Sequence, residues 1–496
     1  MSENIRISII GAGSVGFTQK LVRDILQVPE LQDVEFSLQD ISSKNLDLVK
    51  QLLEKDISAN KIPAKITTSL ERPKALEGAK YIINCSRIGG LSAFKDDIEI
   101  PLKYGIDQCV GDTVCAGGVL YGQRSIPAIL DFCSDINAYS DENALFLNYA
   151  NPMAMNTWAA LTAGNVNTIG LCHGVQGGAR KIAEVLGAGD ESELDYICSG
   201  INHMTWFIEL FFQGRKIIKD ELIEAFKKHP VYSSQEKVRI DVLERFGVFS
   251  TESNGHLSEY LPWYRKRPEE INQWIDLSEW IHGETGGYLR VCTEKRNWFE
   301  EDFPKWLDES GINFSNYKRS TEHCSYIIEA IETGRIYRGH FNTMNKGVVE
   351  NLPNDCIIES TGFVDRFGLH MASGIELPDA CASACRTSID VQRMSVKAAL
   401  DGDLDLLKLA VLHDPLVGAV CSPDEVWSMV DEMLVAQSSW LPQYESEIEK
   451  AKTRLKTSTV NKKNWDGAAR MKVRSTQELQ NSENATLLVE DQAFNN

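Results

Sequence analysis

The chain has 496 residues, 43% hydrophobic and 25% charged, an ordinary globular composition that excludes overall disorder. Its formal net charge of −20, from 51 Lys and Arg against 71 Asp and Glu, repels a nucleic-acid polyanion, so no nucleic-acid partner is expected. With no apolar run of about 18 residues, no leader pattern and 12 scattered cysteines lacking any Cys-x-x-Cys pair, the composition predicts a soluble cytoplasmic protein without a membrane partner, a disulfide framework or a zinc cassette.

The first half alternates short apolar runs with longer amphipathic stretches. Ile5–Ile10 is β-branched and continuous, as a strand covered on both faces should be. Phe17–Gln27 has helical spacing, Val34–Leu38 reads as a second strand, and Ser43–Ala59 as a helix with Ser42 or Ser43 as its N-cap. Further strands are predicted at Tyr81–Cys85, Ala144–Leu147 and Thr168–Leu171, with helices at Leu120–Ala138 and Met155–Leu161. Strands alternating with helices predict an α/β, Rossmann-type parallel sheet with crossover helices.

Near residue 200 the pattern changes. Trp206–Phe212 reads as a longer strand before the turn Gln213-Gly214, a mixed strand follows at Cys356–Val364, and long helices at Arg386–Leu412 and Ser422–Gln437. The expected organisation is a dinucleotide-binding domain over residues 1–200 and an α+β domain over 201–445, packed against the sheet edge and serving substrate, metal and oligomer contacts. Residues 446–496 form a polar extension with the basic cluster Lys452, Arg454, Lys456, Lys462, Lys463, Arg470, Lys472 and Arg474, which reads as a solvated tail or terminal helix.

The clearest local motif is Gly11-Ala12-Gly13-Ser14-Val15-Gly16, which follows the first strand and opens the first helix. Gly11 permits the tight turn, Gly13 a close backbone approach to a pyrophosphate, and Gly16 close helix–strand packing; Ser14 and the helix start supply donors to phosphate. Asp40, at the end of the second strand, offers acceptors to a ribose diol and repels a 2′-phosphate, which favours NAD over NADP.

Later segments add a second layer. Arg87-Ile88-Gly89-Gly90, Gln108–Thr113 with Ala116-Gly117-Gly118, and Asn148–Met153 come first. Gly170–Gly174, Gly200–Trp206 and Gly255–Leu261 follow. In order and spacing this series resembles glycoside hydrolase family 4, the NAD- and divalent-metal-dependent glycosidases, from about residue 5 to about residue 440. The resemblance implies oxidation of the sugar at C3 by bound NAD⁺, removal of the acidified C2 proton, elimination at C1, addition of water and return of the hydride, with a metal, Mn²⁺ in the family, on the C2 and C3 oxygens.

It also implies roles. Cys172 and His203 align with the metal ligands, although by themselves they read as a small buried hydrophobe and a core histidine. Arg87, Asn151 and Asn202 align with substrate-binding positions, and Asp112 and His173 with acidic groups near the leaving group. Where phospho-sugar members carry a tyrosine base, this chain has His256, with Tyr260 four residues on as the second candidate. These departures place the chain nearer the α-galacturonidase and α-glucosidase branch, with α-galacturonides the expected substrate and α-glucosides or α-glucuronides the alternatives. A uronate carboxylate needs a cation, for which Arg87, Arg290 and Arg296 are candidates, and His282–Tyr288 is a candidate pocket loop. The family implies a homodimer or homotetramer.

Two rivals belong to other classes. A 2-hydroxy-acid dehydrogenase needs an Asp/Arg pair between Asn151 and His173, and residues 153–172 contain neither type. A non-catalytic NAD-binding scaffold leaves Cys172, His203 and Asn151 unexplained.

Overall fold

The computed structural model describes residues 5–189, 191–277, 283–463 and 466–481. Six strands, β1 (Arg6–Ile10), β2 (Glu35–Gln39), β3 (Lys65–Ser69), β4 (Tyr81–Asn84), β5 (Leu145–Asn148) and β6 (Thr168–Gly170), pair in parallel in the order β3-β2-β1-β4-β5-β6. Their side chains alternate between two apolar layers: Ile7, Ile9, Tyr81, Ile83, Leu145 and Leu147 face one core, and Ile10, Ile82 and Phe146 the other. Each such fully buried side chain stabilises the fold by about 1.5–3 kcal/mol, which is why these strands read as unbroken apolar runs. The chain leaves β1 towards β2 and returns through β4 on the opposite side. This reversal opens a crevice beyond the carboxyl ends of β1 and β4, where ligands of such sheets bind.

The second half adds β7 (Leu194–Ile201), β8 (Met204–Phe212), β9 (Arg215–Lys216), β10 (Phe249–Ser250), β11 (Tyr337–Met344), β12 (Ile357–Asp365) and β13 (Gly368–Met371). These strands extend the same sheet. β11 pairs antiparallel with β6 through Asn342 and Gly170, β12, β7, β8 and β10 follow, and β13 adds to β12 and β9 to β8, giving one sheet of 13 strands among the described residues. The second half thereby joins β6 at Gly170 by strand pairing as well as by packing.

Helices Cys115–Tyr139, Asp379–Asp401, Leu404–His413 and Pro423–Ala436 enclose a large shared core. The single helix predicted over Arg386–Leu412 is two helices, broken at Gly402, which takes φ +67°, and restarted by Asp403, whose side chain accepts from the Leu406 amide. Ser422 and Glu425 form a reciprocal capping box at the start of the last of them, where the sequence places that helix.

The basic extension begins as a terminal helix, Glu445–Thr457, and most of its cations are exposed, as expected, but several are also tied to the body. Within that helix Arg454 pairs with Asp431 at 2.7 Å, and beyond it Arg474 pairs with Glu294 at 3.0 Å, Arg470 with Glu99 and Lys462 with Glu432. Among the described residues no helix is long and apolar enough to cross a membrane.

Candidate functional site

The glycine-rich turn closes as its sequence demands. Gly11 has φ +79°, and a Cβ there would lie 2.6 Å from the backbone of Ser86, so only glycine lets the β1 and β4 loops approach. Asp40 accepts from the Gly13 amide at 2.8 Å through Oδ2 and from the Ser42 amide at 2.9 Å through Oδ1. Each oxygen keeps a further lone pair for a ribose diol. The Val15–Leu26 helix begins behind Ser14, whose side chain caps none of its amides, so these donors face the crevice as a phosphate cradle requires. Gly16 lies in the first turn of that helix.

Beyond β4 and β5 three predicted residues meet. Asp112 is fully buried, and its Oδ2 accepts from Arg87 at 3.2 Å and from Asn151 Nδ2 at 3.1 Å. Its Oδ1 accepts from the Thr113 hydroxyl at 2.9 Å, and Thr113 Oγ1 lies 3.2 Å from His203 Nδ1. The Arg87 guanidinium lies against three rings, Phe94 at 4.6 Å, Tyr288 at 5.4 Å and Tyr121 at 5.5 Å, which favour a cation held away from water. Its Nη1 is buried with no protein partner among the described residues. Arg124, paired with Asp97 through two nitrogens, fixes the turn that carries Arg87 by donating to the Ile88 carbonyl at 2.9 Å.

The second half of the sheet supplies the imidazoles. Asn202 and His203 are the two turn residues between β7 and β8, and His203 takes φ +61°, an uncommon conformation for a side chain of this size. His203 Nδ1 lies 2.9 Å from His256 Nε2 and 3.9 Å from Glu252 Oε2; ligand atoms of these three residues all fall within 4.8 Å of one another, a donor set suited to a divalent cation. His256 lies on the short Asn254–Tyr260 helix, and its Nδ1 meets Glu259 Oε2. A carboxylate can only accept, so the neutral ring carries its proton on Nδ1 and turns the Nε2 lone pair towards the site, a tautomer assigned from the network. Burial opposes charge on His256, but Glu259, Glu252 and Asp112 outweigh it and raise its pKa above the ordinary value. Burial alone would raise the Glu252 carboxyl; His203 and His256 hold it below its usual range.

Cys172 follows β6 beside the same carboxylate: a point over Gly174, where a Cβ would stand, is 3.7 Å from its Sγ and 3.9 Å from Glu252 Oε2. Burial, Glu359 and Glu252 push this thiol well above the ordinary range, so a thiolate there needs a cation beside it. Asn202, fully buried, donates to Glu359 at 3.3 Å. His173 stands at the N-cap position of the Gly174–Val185 helix without capping it through its side chain and faces Glu322 at 3.5 Å, and Lys20 of the nucleotide helix reaches the same carboxylate oxygen at 3.3 Å. Burial would raise Glu322, but His173 and Lys20 hold it at about 2. Tyr260 donates to the Asn202 carbonyl at 3.3 Å and packs edge-on against His256 at 5.2 Å, bracing the His203 turn.

The structure thus gathers Arg87, Asp112, Asn151, His203 and His256 into one connected network, while the predicted ligand Cys172 lies near Glu252 but outside the compact His203–Glu252–His256 donor set. The other candidate cations are engaged elsewhere: Arg290 pairs with Glu284 at 2.6 Å and Glu294 at 2.8 Å, and Arg296 with Glu300 at 3.3 Å on the surface. Of the predicted loop, His282 lies outside the described residues, while Tyr288 stands over Arg87. Sequence reasoning did not single out Glu252, Glu259 or Glu322. The only local signal is that Glu252 and Glu259 flank His256 within a few residues.

Residues 6–188 match the model of the Family 4 glycosyl hydrolase family, and residues 198–417 that of the Family 4 glycosyl hydrolase C-terminal domain. An α-galactosidase of Rhizobium meliloti is 64% identical over 485 residues, covering 98% of this chain and 99% of that protein. An α-galactosidase of Bacillus subtilis is 34% identical, covering 88% and 99%. The fold is shared with the 6-phospho-β-glucosidase of Thermotoga maritima solved with manganese, NAD⁺ and glucose-6-phosphate (TM-score 0.72, 23% identity, 88% of this chain and 99% of that one). By the family models and by these identities, the chain belongs to the family 4 glycosyl hydrolases and is an α-glycosidase of that family.

Proposed function

We propose that this chain hydrolyses α-galactosides, with NAD⁺ and a divalent cation, Mn²⁺ foremost, as its bound cofactors. The observation that carries the reading is that the glycine-rich crevice, the Arg87–Asp112–Asn151 cluster and the His203–Glu252–His256 donors open at one edge of one sheet. Bound there, NAD⁺ would supply a reversible hydride acceptor and the divalent cation a Lewis acid for the sugar oxygens.

The residues divide the remaining work. Gly11, Gly13, Ser14 and Gly16 shape the pyrophosphate cradle, and Asp40 takes the ribose diol. Cys172, His203 and Glu252 would hold the cation, and His256, whose ring belongs to the same donor set, keeps its Nε2 lone pair for the proton instead. His256 receives the C2 proton on Nε2, and Glu259 stabilises the imidazolium that forms. Asp112 accepts from three neighbours and so acts as a carboxylate that fixes Arg87 and Asn151 against the sugar hydroxyls. His173 is the proton donor to the leaving oxygen, held in place by Glu322.

The pocket chemistry moves the substrate reading from α-galacturonides to α-galactosides. Arg290 and Arg296 are paired elsewhere and Asp112 offsets the Arg87 charge, so the pocket presents Arg87 Nη1, unpartnered among the described residues, as a donor for a sugar hydroxyl but no uncompensated cation among the three for a uronate. The 64% identity to an α-galactosidase points the same way. A panel of p-nitrophenyl α-galactoside, α-galacturonide, α-glucoside and their 6-phosphates, assayed with NAD⁺, Mn²⁺ and reductant, tests this. The galactoside is expected to give the highest kcat/KM, by about tenfold or more; a faster galacturonide overturns the assignment. Accumulation of NADH in step with product would instead mark a dehydrogenase.

Asp40 makes a separate prediction. Asp40→Ala removes the acceptor for the ribose diol and the charge that repels a 2′-phosphate, and is expected to shift the NAD⁺/NADP⁺ affinity ratio by about tenfold or more towards NADP⁺. Fluorescence titration with NADH and NADPH measures the ratio, and an unchanged ratio removes Asp40 from the ribose site.

A further inference from the structure

We infer that the C-terminal extension is a positioning strap for the sugar pocket: residues 466–481 hold, through Asp107, Thr285 and Glu294, the loop that carries Asp112 and the start of the Gly287–Glu309 helix that carries Tyr288. The segment lies beyond residue 417, where the family match ends.

Its first anchor is Asp107, 1% exposed. The Ala468 amide and the Thr285 hydroxyl both donate to Asp107 Oδ2, at 2.9 and 2.8 Å. The Thr285 amide donates to the Ala469 carbonyl at 2.9 Å, so strap and loop pair by backbone as well. Arg265 takes the other side of Asp107 and donates to the Gly283 carbonyl at 2.6 Å. From there the Gly286 amide donates to the Gln108 carbonyl at 2.7 Å and the Tyr288 amide to the Cys109 carbonyl at 3.1 Å. The strap therefore reaches the loop that ends in Asp112 and the ring that covers Arg87 by unbroken hydrogen bonds.

The second anchor settles a charge imbalance. Arg290 faces two buried carboxylates, Glu284 and Glu294, and one guanidinium cannot neutralise both. Arg474 supplies the second cation: its amide donates to Glu294 Oε1 at 2.8 Å, and its Nε and Nη2 reach Glu294 at 3.2 and 3.0 Å. The third anchor is apolar. Leu479, fully buried, packs with Cys109, Val110, Val291 and Trp298, with Tyr288 at the margin. None of these contacts involves the glycine-rich turn or Asp40, so the strap acts on the sugar side and leaves the nucleotide side alone.

The catalytic arm of the test rests on the function proposed above, and a second arm does not. In a chain lacking residues 466–496, KM for p-nitrophenyl α-galactoside is expected to rise about tenfold or more, with NAD⁺ affinity within about twofold of the parent. Hydrogen–deuterium exchange in peptides spanning residues 105–114 and 283–292 is expected to accelerate. Arg474→Ala should change both in the same direction by less, and Arg474→Lys should restore part of the loss; these two variants decide the matter should the shortened chain fail to fold. Unchanged exchange in both peptides overturns the proposal, as does NAD⁺ affinity falling in step with KM. Should the parent protein leave galactosides intact, the functional reading fails while the exchange arm still decides the strap.

Discussion

Replacing Cys172 or His203 by Ala is expected to lower kcat for α-galactoside hydrolysis by about a thousandfold or more and to abolish its stimulation by Mn²⁺, because a Lewis acid at this point is worth several kcal/mol of transition-state stabilisation. The physical basis is the environment of the sulfur. Cys172 emerges from β6 into buried surroundings beside Glu252 and Glu359, which disfavour a bare thiolate. A soft anion and an imidazole offered together to a borderline divalent ion reverse that preference. Neither side chain touches the glycine-rich turn, so NADH binding measured by fluorescence should stay within about threefold of the parent value. Adding a chelator to the unmutated protein should reproduce the loss, and returning Mn²⁺ should restore the rate only when Cys172 and His203 are both present. Full Mn²⁺-stimulated activity in either variant would remove that residue from the metal site.

The parallel half of the sheet was legible because each of its central strands is apolar on both faces. Tyr81–Asn84 and Leu145–Asn148 alternate between two cores and so read as short unbroken runs. The strands that escaped prediction lack that signal for identifiable reasons. Lys65–Ser69 is an edge strand whose residues are exposed or half-buried. Tyr337–Met344 carries Arg338, His340 and Asn342, and Leu194–Ile201 carries Asp195 and an exposed Ile197. Such strands are held by neighbours distant in sequence, which no local period reveals. The same limit governs the tail. The ties of its basic residues to the body leave no local signal because Glu99, Glu294, Asp431 and Glu432, their partners, lie further back along the chain.

The site followed this division. The turn after β1 and the acid after β2 declared themselves because both belong to one contiguous βαβ unit. Cys172 and His203 stood out only through resemblance, since β6 and the β7–β8 turn meet only once β11, β12 and β7 have extended the sheet. Glu259 acquires meaning only when its helix is set against the loop at residues 109–111, and Glu252 only when the β7–β8 turn brings His203 to it.

Glu259→Ala is expected to destabilise the protein by about 3–5 kcal/mol, and Glu259→Gln to spare the fold yet lower kcat by about a hundredfold to ten-thousandfold. The carboxylate is fully buried and its Oε1 accepts from the amides of Cys109, Val110 and Gly111 at 2.9, 3.1 and 3.1 Å, while Oε2 takes His256 Nδ1. Alanine strands all four donors without water, each at a cost of about 1–3 kcal/mol before relaxation. Glutamine keeps Oε1 for the three amides but offers an N–H where the carboxylate accepted. The His256 ring must then accept at Nδ1 and carry its proton on Nε2, the face turned to the sugar, which is the wrong tautomer for receiving the C2 proton. Thermal denaturation separates the two variants on stability, and deuterium incorporation at C2 of the product sugar in D₂O reports the proton transfer directly. Wild-type C2 exchange in a well-folded Glu259→Gln protein would place the base elsewhere than His256. A slowed exchange with KM for the galactoside within about threefold places it there and identifies Glu259 as the group that sets its proton.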